Sequence, residues 1–228
     1  MKKKTIKKTA FSDAPDPAVL LKRLRKQWPD AKCSLDFQTP LQLLVATILS
    51  AQCTDVRVNM VVGPLFQKYK NAKDFADATR DDLETMIRST GFYHSKAKNI
   101  QESCRILTEK YGGVVPADME SLVQLPGVGR KTANVVLGNG FGISSGVVVD
   151  THVSRLARRI GFSTEKTPVK IETDLSRCFS RKTWVELSHL LIQLGRNFCK
   201  SQKPNCEKCP IGDICPKAGV DVFKEKVF

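Results

Sequence analysis

At 228 residues, with 41% apolar side chains, the chain is long enough to bury one large core or two smaller ones. Its 37 Lys and Arg against 23 Asp and Glu leave a formal net charge of +14. This charge predicts attraction to polyanions, with nucleic acid favoured over an anionic membrane surface, although a solvated basic face is the alternative. The longest apolar stretch, 43–49, is too short to span a bilayer, and no apolar run follows the basic N-terminus. We therefore expect an intracellular protein without a secretory signal.

Helical signals dominate the chain from its N-terminal end. Residues 1–13 are predicted to be a basic, flexible arm. Asp16 followed by Pro17 is typical of an N-cap with proline at the first helical position, and Thr39 followed by Pro40 repeats the pattern. Further helices are predicted from 54, over 80–89, 95–111 and 117–125, from 131, from 150, and over 168–178 and 183–200.

Three features punctuate this helical pattern. Gly63-Pro64 predicts a break or kink in the helix that starts at 54. Gly112-Gly113 predicts a helix end. The apolar run 147–149 could form a strand, but it is short and isolated. The predicted class is therefore all-α.

A tight hairpin is predicted over 125–131. Pro126 fixes one backbone angle, while Gly127 and Gly129 permit conformations that side chains disfavour. Such a turn directs backbone N–H groups outward at the start of a helix, where they can bind phosphate oxygens without reading sequence. An ordinary turn between two helices is the alternative.

Four segments, in order, resemble the endonuclease III family of the helix-hairpin-helix DNA glycosylase superfamily. They are LLVATILSAQCTDVRVN, GFYHSKAKNI, LPGVGRKTANVVL and VDTHVSRLARR. The resemblance covers most of the chain, from about Phe37 to Cys215. It implies two helical lobes that flank a DNA-binding cleft: a helix-hairpin-helix barrel lobe over 33–144, and an iron–sulfur lobe formed by 14–32 together with 145–228.

The resemblance assigns catalysis to Lys131, as the nucleophile, and Asp150. An ordinary lysine is protonated at neutral pH and must be activated before it can attack carbon. Lys131 lies where a helix is predicted to begin, and the positive end of a helix dipole disfavours an ammonium group. Asp150 would help to deprotonate the lysine and stabilise positive charge at the sugar. From its position before Thr-His-Val, Asp150 is also a good N-cap.

Four cysteines near the C-terminal end follow the spacing C-x6-C-x2-C-x5-C. They are Cys199, Cys206, Cys209 and Cys215. The spacing alone indicates either a tetrahedral zinc or a [4Fe-4S] cluster. The resemblance implies the [4Fe-4S] cluster, in a structural role.

The resemblance also indicates how the chain would contact DNA. A glycosylase must extrude its target base from the stack, and Gln52 and Phe92 correspond to the family's residues that fill the vacated space. Phe92 replaces the leucine usual in the family, and His94 replaces an asparagine, so the range of lesions stays open. The other predicted contacts with DNA are Gly127, Gly129, Arg130, His152, Lys200 and Lys203.

The resemblance therefore implies a bifunctional DNA glycosylase and AP lyase of base excision repair. It would remove oxidised pyrimidines and cleave 3′ to the abasic site by β-elimination through a lysine Schiff base. We expect a monomer that binds damaged double-stranded DNA, cytoplasmic and, in a bacterium, associated with the nucleoid. One alternative is an adenine glycosylase of the same superfamily, but those enzymes lack the lysine. The other is a non-catalytic DNA-binding module, which would not nick an abasic site.

Overall fold

The computed structural model describes residues 13–220, so the predicted N-terminal arm lies almost entirely outside the described residues. Helices and connecting loops form this part of the chain, which contains no strand. The all-α prediction is therefore confirmed. No helix among these residues is long and apolar enough to cross a membrane.

The described chain divides into two compact units. The unit Cys33–Ser145 is called the hairpin unit here, and residues 13–32 with 146–220 form the cysteine unit. In the hairpin unit the helices are α2 (Pro40–Leu49), α3 (Asp55–Lys68), α4 (Ala72–Asp77), α5 (Arg80–Ile87), α6 (Tyr93–Tyr111), α7 (Met119–Leu122) and α8 (Arg130–Gly140). In the cysteine unit they are α1 (Pro17–Gln27), α9 (Thr151–Arg159), α10 (Pro168–Cys178) and α11 (Trp184–Asn197).

The central helix of the hairpin unit is α2. Every residue from Leu43 to Leu49 is buried, and the helix packs against α3, α6 and α8. Burial on all sides explains why this segment shows an unbroken apolar run rather than an amphipathic stripe. It also places α8, which carries Lys131, directly on the core.

A separate apolar core holds the cysteine unit together. It joins α1, α9, α10 and α11, with Leu20, Leu156, Leu175 and Leu190 fully buried. Ile211, from the segment between the last two cysteines of the motif, is buried in the same core. The loop that carries the cysteines is therefore packed onto the helices. Its position is fixed by this packing as well as by its two ends.

Several predicted helix starts are confirmed by their caps. The Asp16 carboxylate accepts hydrogen bonds from the N–H groups of Ala18 and Val19. The hydroxyl groups of Thr39 and Thr54 cap α2 and α3 in the same way. Gly112 ends α6 in the left-handed conformation with φ of 59°, as Gly112-Gly113 predicted.

Other helix boundaries differ from the predictions. Of the break or kink predicted at Gly63-Pro64, the break is wrong, because α3 continues through Pro64 to Lys68. The kink stays a prediction. Val62 and Leu65 are buried on one face, whereas Gly63 and Pro64 are exposed, where water can satisfy the carbonyl that loses its helical donor. The helix predicted over 117–125 is reduced to the four residues of α7, since the hairpin begins at Leu125.

The apolar segment 147–149 is buried but forms no strand. The N–H of Val148 donates to the hydroxyl of Ser188 on α11 at 2.9 Å, and that hydroxyl donates to the carbonyl of Trp184. A side chain thus satisfies the buried backbone donor that a neighbouring strand would otherwise satisfy. This bond fixes the chain two residues before Asp150.

Candidate active site and cysteine loop

The predicted hairpin forms the start of α8. The N–H of Val128 donates to the carbonyl of Leu125 at 3.0 Å, and both side chains are buried. The hydroxyl of Ser103 on α6 donates to the carbonyl of Pro126 at 2.9 Å. Gly127 has φ of 77°, a conformation that requires glycine or costs free energy. The turn is therefore held in one shape by α6 and the core.

Gly129 is the N-cap of α8 and has no side chain that could cap the helix. The first N–H groups of α8 consequently lack acceptors within the helix, and they lie beside exposed Gly129. An array of this kind binds phosphate oxygens through hydrogen bonds and the helix dipole. Exposed Arg130 adds a positive charge at the same place.

Lys131 is the second residue of α8 and its side chain is exposed. Its side chain thus leaves the backbone at the helix start, where the N–H groups could hold a DNA phosphate. Accessibility of this nitrogen is the minimum requirement for attack on a sugar carbon.

Asp150 lies at the start of α9 in the cysteine unit. Its Oδ1 accepts a hydrogen bond from the N–H of Val153 at 2.8 Å, so the carboxylate is the N-cap of α9. The capping role that the sequence indicated is therefore present. The side chain is only half-buried, so it stays accessible from solvent.

His152, the second residue of α9, is half-buried against α11 and the side chain of Arg155. Burial lowers the pKa of His152, with the charge of Asp150 acting in the opposite direction. The imidazole therefore favours its neutral form. Lys200 and Lys203 are exposed on the loop between the first two cysteines, where φ of Lys203 is 48°.

Gln52 and Phe92 end two exposed turns of the hairpin unit. Gln52 follows α2 and has φ of 52°, while Phe92 precedes α6 and has φ of 48°. The side chain of Phe92 is 65% exposed. Nearby, Nδ1 of His94 lies 2.6 Å from Oε2 of Glu84. The histidine, which stands where the family usually has an asparagine, therefore forms an ion pair at this turn when its imidazole is protonated.

The four cysteines of the motif line one pocket, together with apolar residues of α9 and α11. Burial raises the pKa of the Cys209 thiol to about 11 and also raises that of Cys215. Among residues 13–220, no group of three or more His, Cys, Asp or Glu side chains is placed to hold a single metal ion. The candidate metal ligands in this pocket are four partly buried cysteine sulfur atoms.

Two arginines of α9 hold the chain at Cys199. The guanidinium of Arg155 donates to the carbonyl of Cys199 from Nε at 3.0 Å and from Nη2 at 2.8 Å. Arg159 donates to the carbonyls of Lys200 and Ser201 at 2.7 and 2.9 Å. Sequence reasoning did not single out these arginines, although their spacing of four on one helix puts them on one face.

Comparisons with known proteins agree with this arrangement. Residues 45–181 match the family described as HhH-GPD superfamily base excision DNA repair protein. The chain is 52% identical to endonuclease III of Synechocystis sp. over 195 residues, covering 86% of this chain and 89% of that protein. It is 40% identical to endonuclease III of Escherichia coli over 208 residues, covering 91% of this chain and 95% of the relative.

A solved structure shows the same similarity. The structure of a trapped endonuclease III–DNA covalent intermediate, an estranged-adenine complex, superposes with a TM-score of 0.83 at 42% identity, covering 88% of this chain and 94% of that chain. A non-covalent endonuclease III–DNA complex matches equally well. By its sequence, its helices and its hairpin, this chain belongs to the endonuclease III family of HhH-GPD base excision DNA repair proteins.

Proposed function

We propose that this chain is a bifunctional DNA glycosylase and AP lyase that acts on double-stranded DNA and removes oxidised pyrimidines. The observation that carries the proposal is the exposed amine of Lys131 at the start of α8, directly after a hairpin whose N–H groups suit a phosphate. A relative at 42% identity has been trapped covalently on DNA, which supports covalent catalysis in this family.

Lys131 would act as the nucleophile. Its neutral amine attacks C1′ of the damaged nucleotide, the bond from C1′ to the base breaks, and the base leaves with the bonding electrons and a proton. Opening of the sugar ring gives a Schiff base between Nζ and C1′. Loss of a proton from C2′ then expels the 3′ phosphate by β-elimination, and water releases the lysine.

Asp150 would accept the proton of the lysine and stabilise positive charge at the sugar. Because the same carboxylate caps α9, Asp150→Ala removes two functions at once. Asp150→Asn keeps an oxygen for the N–H of Val153 but lacks the negative charge. General acid–base groups contribute about 10²–10⁴-fold to rates, so Asp150→Asn should lose that much activity with little loss of helix stability.

Gln52 and Phe92 would enter the duplex when the damaged base leaves it. Their exposure on two turns of one unit supports this role. Gly127, Gly129, Arg130, His152, Lys200 and Lys203 would contact the DNA backbone, which dominates affinity in such complexes.

The four cysteines would hold the [4Fe-4S] cluster expected of the family. Their position around one pocket supports this proposal, because four thiolates close together are the ligand set that such a cluster requires. Thiols whose pKa is raised by burial must lose their protons to ligate metal, so assembly would release protons. With four protein ligands and no open position, the cluster would brace the loop that carries Lys200 and Lys203.

Borohydride trapping tests this proposal. A duplex with thymine glycol should give a protein–DNA adduct with the native chain and no adduct with Lys131→Ala. Duplexes with dihydrouracil, uracil and an intact abasic site would define the range of lesions. An adduct that persists in Lys131→Ala, or binding without cleavage of the abasic site, would contradict the proposal.

A further inference from the structure

Lys96 of α6 has no part in the chemistry proposed above, yet it is the most deeply placed cation of the described chain. Its side chain is only 4% exposed, and it is the one Lys or Arg among residues 13–220 that is buried. Burial lowers the pKa of Lys96, whereas nearby Cys53 acts in the opposite direction. A buried ammonium group is costly unless it is hydrogen-bonded, so its partners indicate its purpose.

The ammonium of Lys96 joins two segments that are distant in sequence. Nζ donates to the carbonyl of Leu49 at 2.8 Å and to the carbonyl of Thr90 at 2.8 Å. Leu49 is the last residue of α2, and its carbonyl has no helical partner because the N–H of Cys53 donates to Ser50 instead. A cation at this helix end satisfies the carbonyl and interacts favourably with the dipole.

Each of these carbonyls stands just before one of the exposed turns. Leu49 is three residues before Gln52, and Thr90 is two residues before Phe92. The backbone N–H of Lys96 also donates to the carbonyl of Phe92 at 3.0 Å. One residue therefore contacts both turns and anchors the second from two sides.

Both turns need such an anchor. Gln52 and Phe92 have φ of 52° and 48°. Residues other than glycine adopt such a backbone conformation only when the surroundings enforce it. Their exposed side chains gain little packing that could hold the conformation. The buried bonds of Lys96 are an interaction that the two turns share.

We propose that Lys96 is a positioning residue for opening the duplex: its ammonium ties the turn of Gln52 to the turn of Phe92, so that both side chains enter the DNA at a fixed separation. The inference rests on the proposed function of Gln52 and Phe92. Lys96 acts only through them and touches no DNA.

The test compares two substrates with the same sequence flanking the lesion. One is a fully paired duplex with thymine glycol, which must be opened, and the other has an abasic site within an unpaired bubble, which needs no opening. Lys96→Met should slow excision from the paired duplex by about 10–100-fold, the loss expected when reacting groups are misplaced by about 1 Å. Cleavage in the bubble should stay within about twofold of the native rate, since Lys131 is unchanged.

A matched control separates positioning from stability. Gln101 lies on the same helix, is 6% exposed, and donates from Nε2 to the carbonyl of Ala78, away from both turns. Gln101→Leu should lower the melting temperature without changing the ratio of the two rates. Lys96→Gln, which keeps amide donors on a shorter side chain, serves if Lys96→Met does not fold.

Amide hydrogen exchange of the free protein gives a readout independent of activity. In Lys96→Gln, exchange should accelerate at 50–53 and at 91–93 together, with the rest of the hairpin unit unchanged. Equal losses of rate on both substrates, which leave the ratio of the two rates unchanged, would overturn the inference. Faster hydrogen exchange across the whole hairpin unit would overturn it as well. Activity of Lys131→Ala on the bubble would instead refute the proposed chemistry.

Discussion

Gly127 of the hairpin lies against Asn99 of α6 so closely that a Cβ atom at 127 would stand 2.8 Å from Nδ2 and 3.0 Å from Cβ of Asn99. With φ of 77°, Gly127 is also strained for any other residue. Gly129, two residues later, has nothing within 4 Å of the same added atom and a φ of −90°. Two glycines of one motif thus have different physical reasons for being glycine.

Alanine substitutions should separate these reasons. Gly127→Ala should lower the free energy of unfolding by about 1–3 kcal/mol, from the left-handed backbone and the displaced Asn99. Gly129→Ala should change stability by less than about 0.5 kcal/mol but weaken DNA binding, since its Cβ would obstruct a phosphate approaching the N–H groups of α8. Thermal unfolding and binding to an abasic duplex measure the two effects. Equal stability losses at both positions would contradict this assignment.

The strained turns predict a conflict between stability and function. Gln52→Gly and Phe92→Gly should each raise the free energy of unfolding, by at most about 1 kcal/mol, because glycine adopts φ near 50° without strain. The same substitutions should reduce excision from paired DNA. Gln52→Ala is the control, since it loses the side chain but keeps the strain. A glycine variant no more stable than Gln52→Ala would show that the turns store no strain.

Arg155 should control how firmly the cysteine loop holds the proposed [4Fe-4S] cluster. Arg155→Lys cannot reproduce the two hydrogen bonds to the carbonyl of Cys199. We expect the purified variant to lose iron and visible absorption faster than the native protein during exposure to air. Arg158→Lys is the matched control, because Arg158 is exposed on the same helix and donates to the carbonyl of Ser154 within that helix. Equal rates of iron loss in the two variants would contradict this role of Arg155.

Salt dependence should identify the lysines that contact phosphate. Lys200→Ala and Lys203→Ala should each reduce the slope of log affinity against log salt by about one, with a uniform effect across DNA sequences. Lys73, which is paired with Asp77 on α4, provides a control whose removal should leave the slope unchanged. A slope that no lysine of this loop alters would place the loop away from DNA.

His189 should make stability depend on pH. Burial lowers the pKa of His189, so the folded chain binds a proton less readily than the unfolded chain, in which the pKa is about 6.5. Its contribution to stability is complete above pH ~6.5 and is lost as the pH falls from there towards the lower folded-state pKa. His189→Gln should therefore lose less stability than the native chain between pH 7 and 5, as measured by urea unfolding. A steeper loss in the variant would contradict the sign.

Local chemistry explains most of what could be predicted from the sequence. The caps at Asp16, Thr39 and Asp150 each depend on a side chain and N–H groups two or three residues away, which is information that a short window contains. Helix α4 was missed because only two of its six residues are buried, too few to show a period. Its capping box between Asn71 and Asp74 was the available signal.

Long-range packing explains what could not be predicted. Pro64 indicated a break locally, but buried neighbours on α3 carry the helix through it. The partners of Lys96 include a carbonyl 47 residues away, and no periodic pattern reveals which side chain will meet which backbone atom. The resemblance to the family assigned the catalytic roles to Lys131 and Asp150. Apart from the N-cap at Asp150, the side chains and backbone groups that contact these two residues depend on tertiary packing and could not be predicted.

The loop that carries the four cysteines, 199–215, also limits how this protein can be engineered. At Gly212 a Cβ atom would overlap the carbonyl oxygen of Cys206, and backbone, unlike a side chain, cannot rotate away. A library that randomises this segment to alter its affinity for nucleic acid should vary exposed positions such as Gln202 and hold residue 212 fixed.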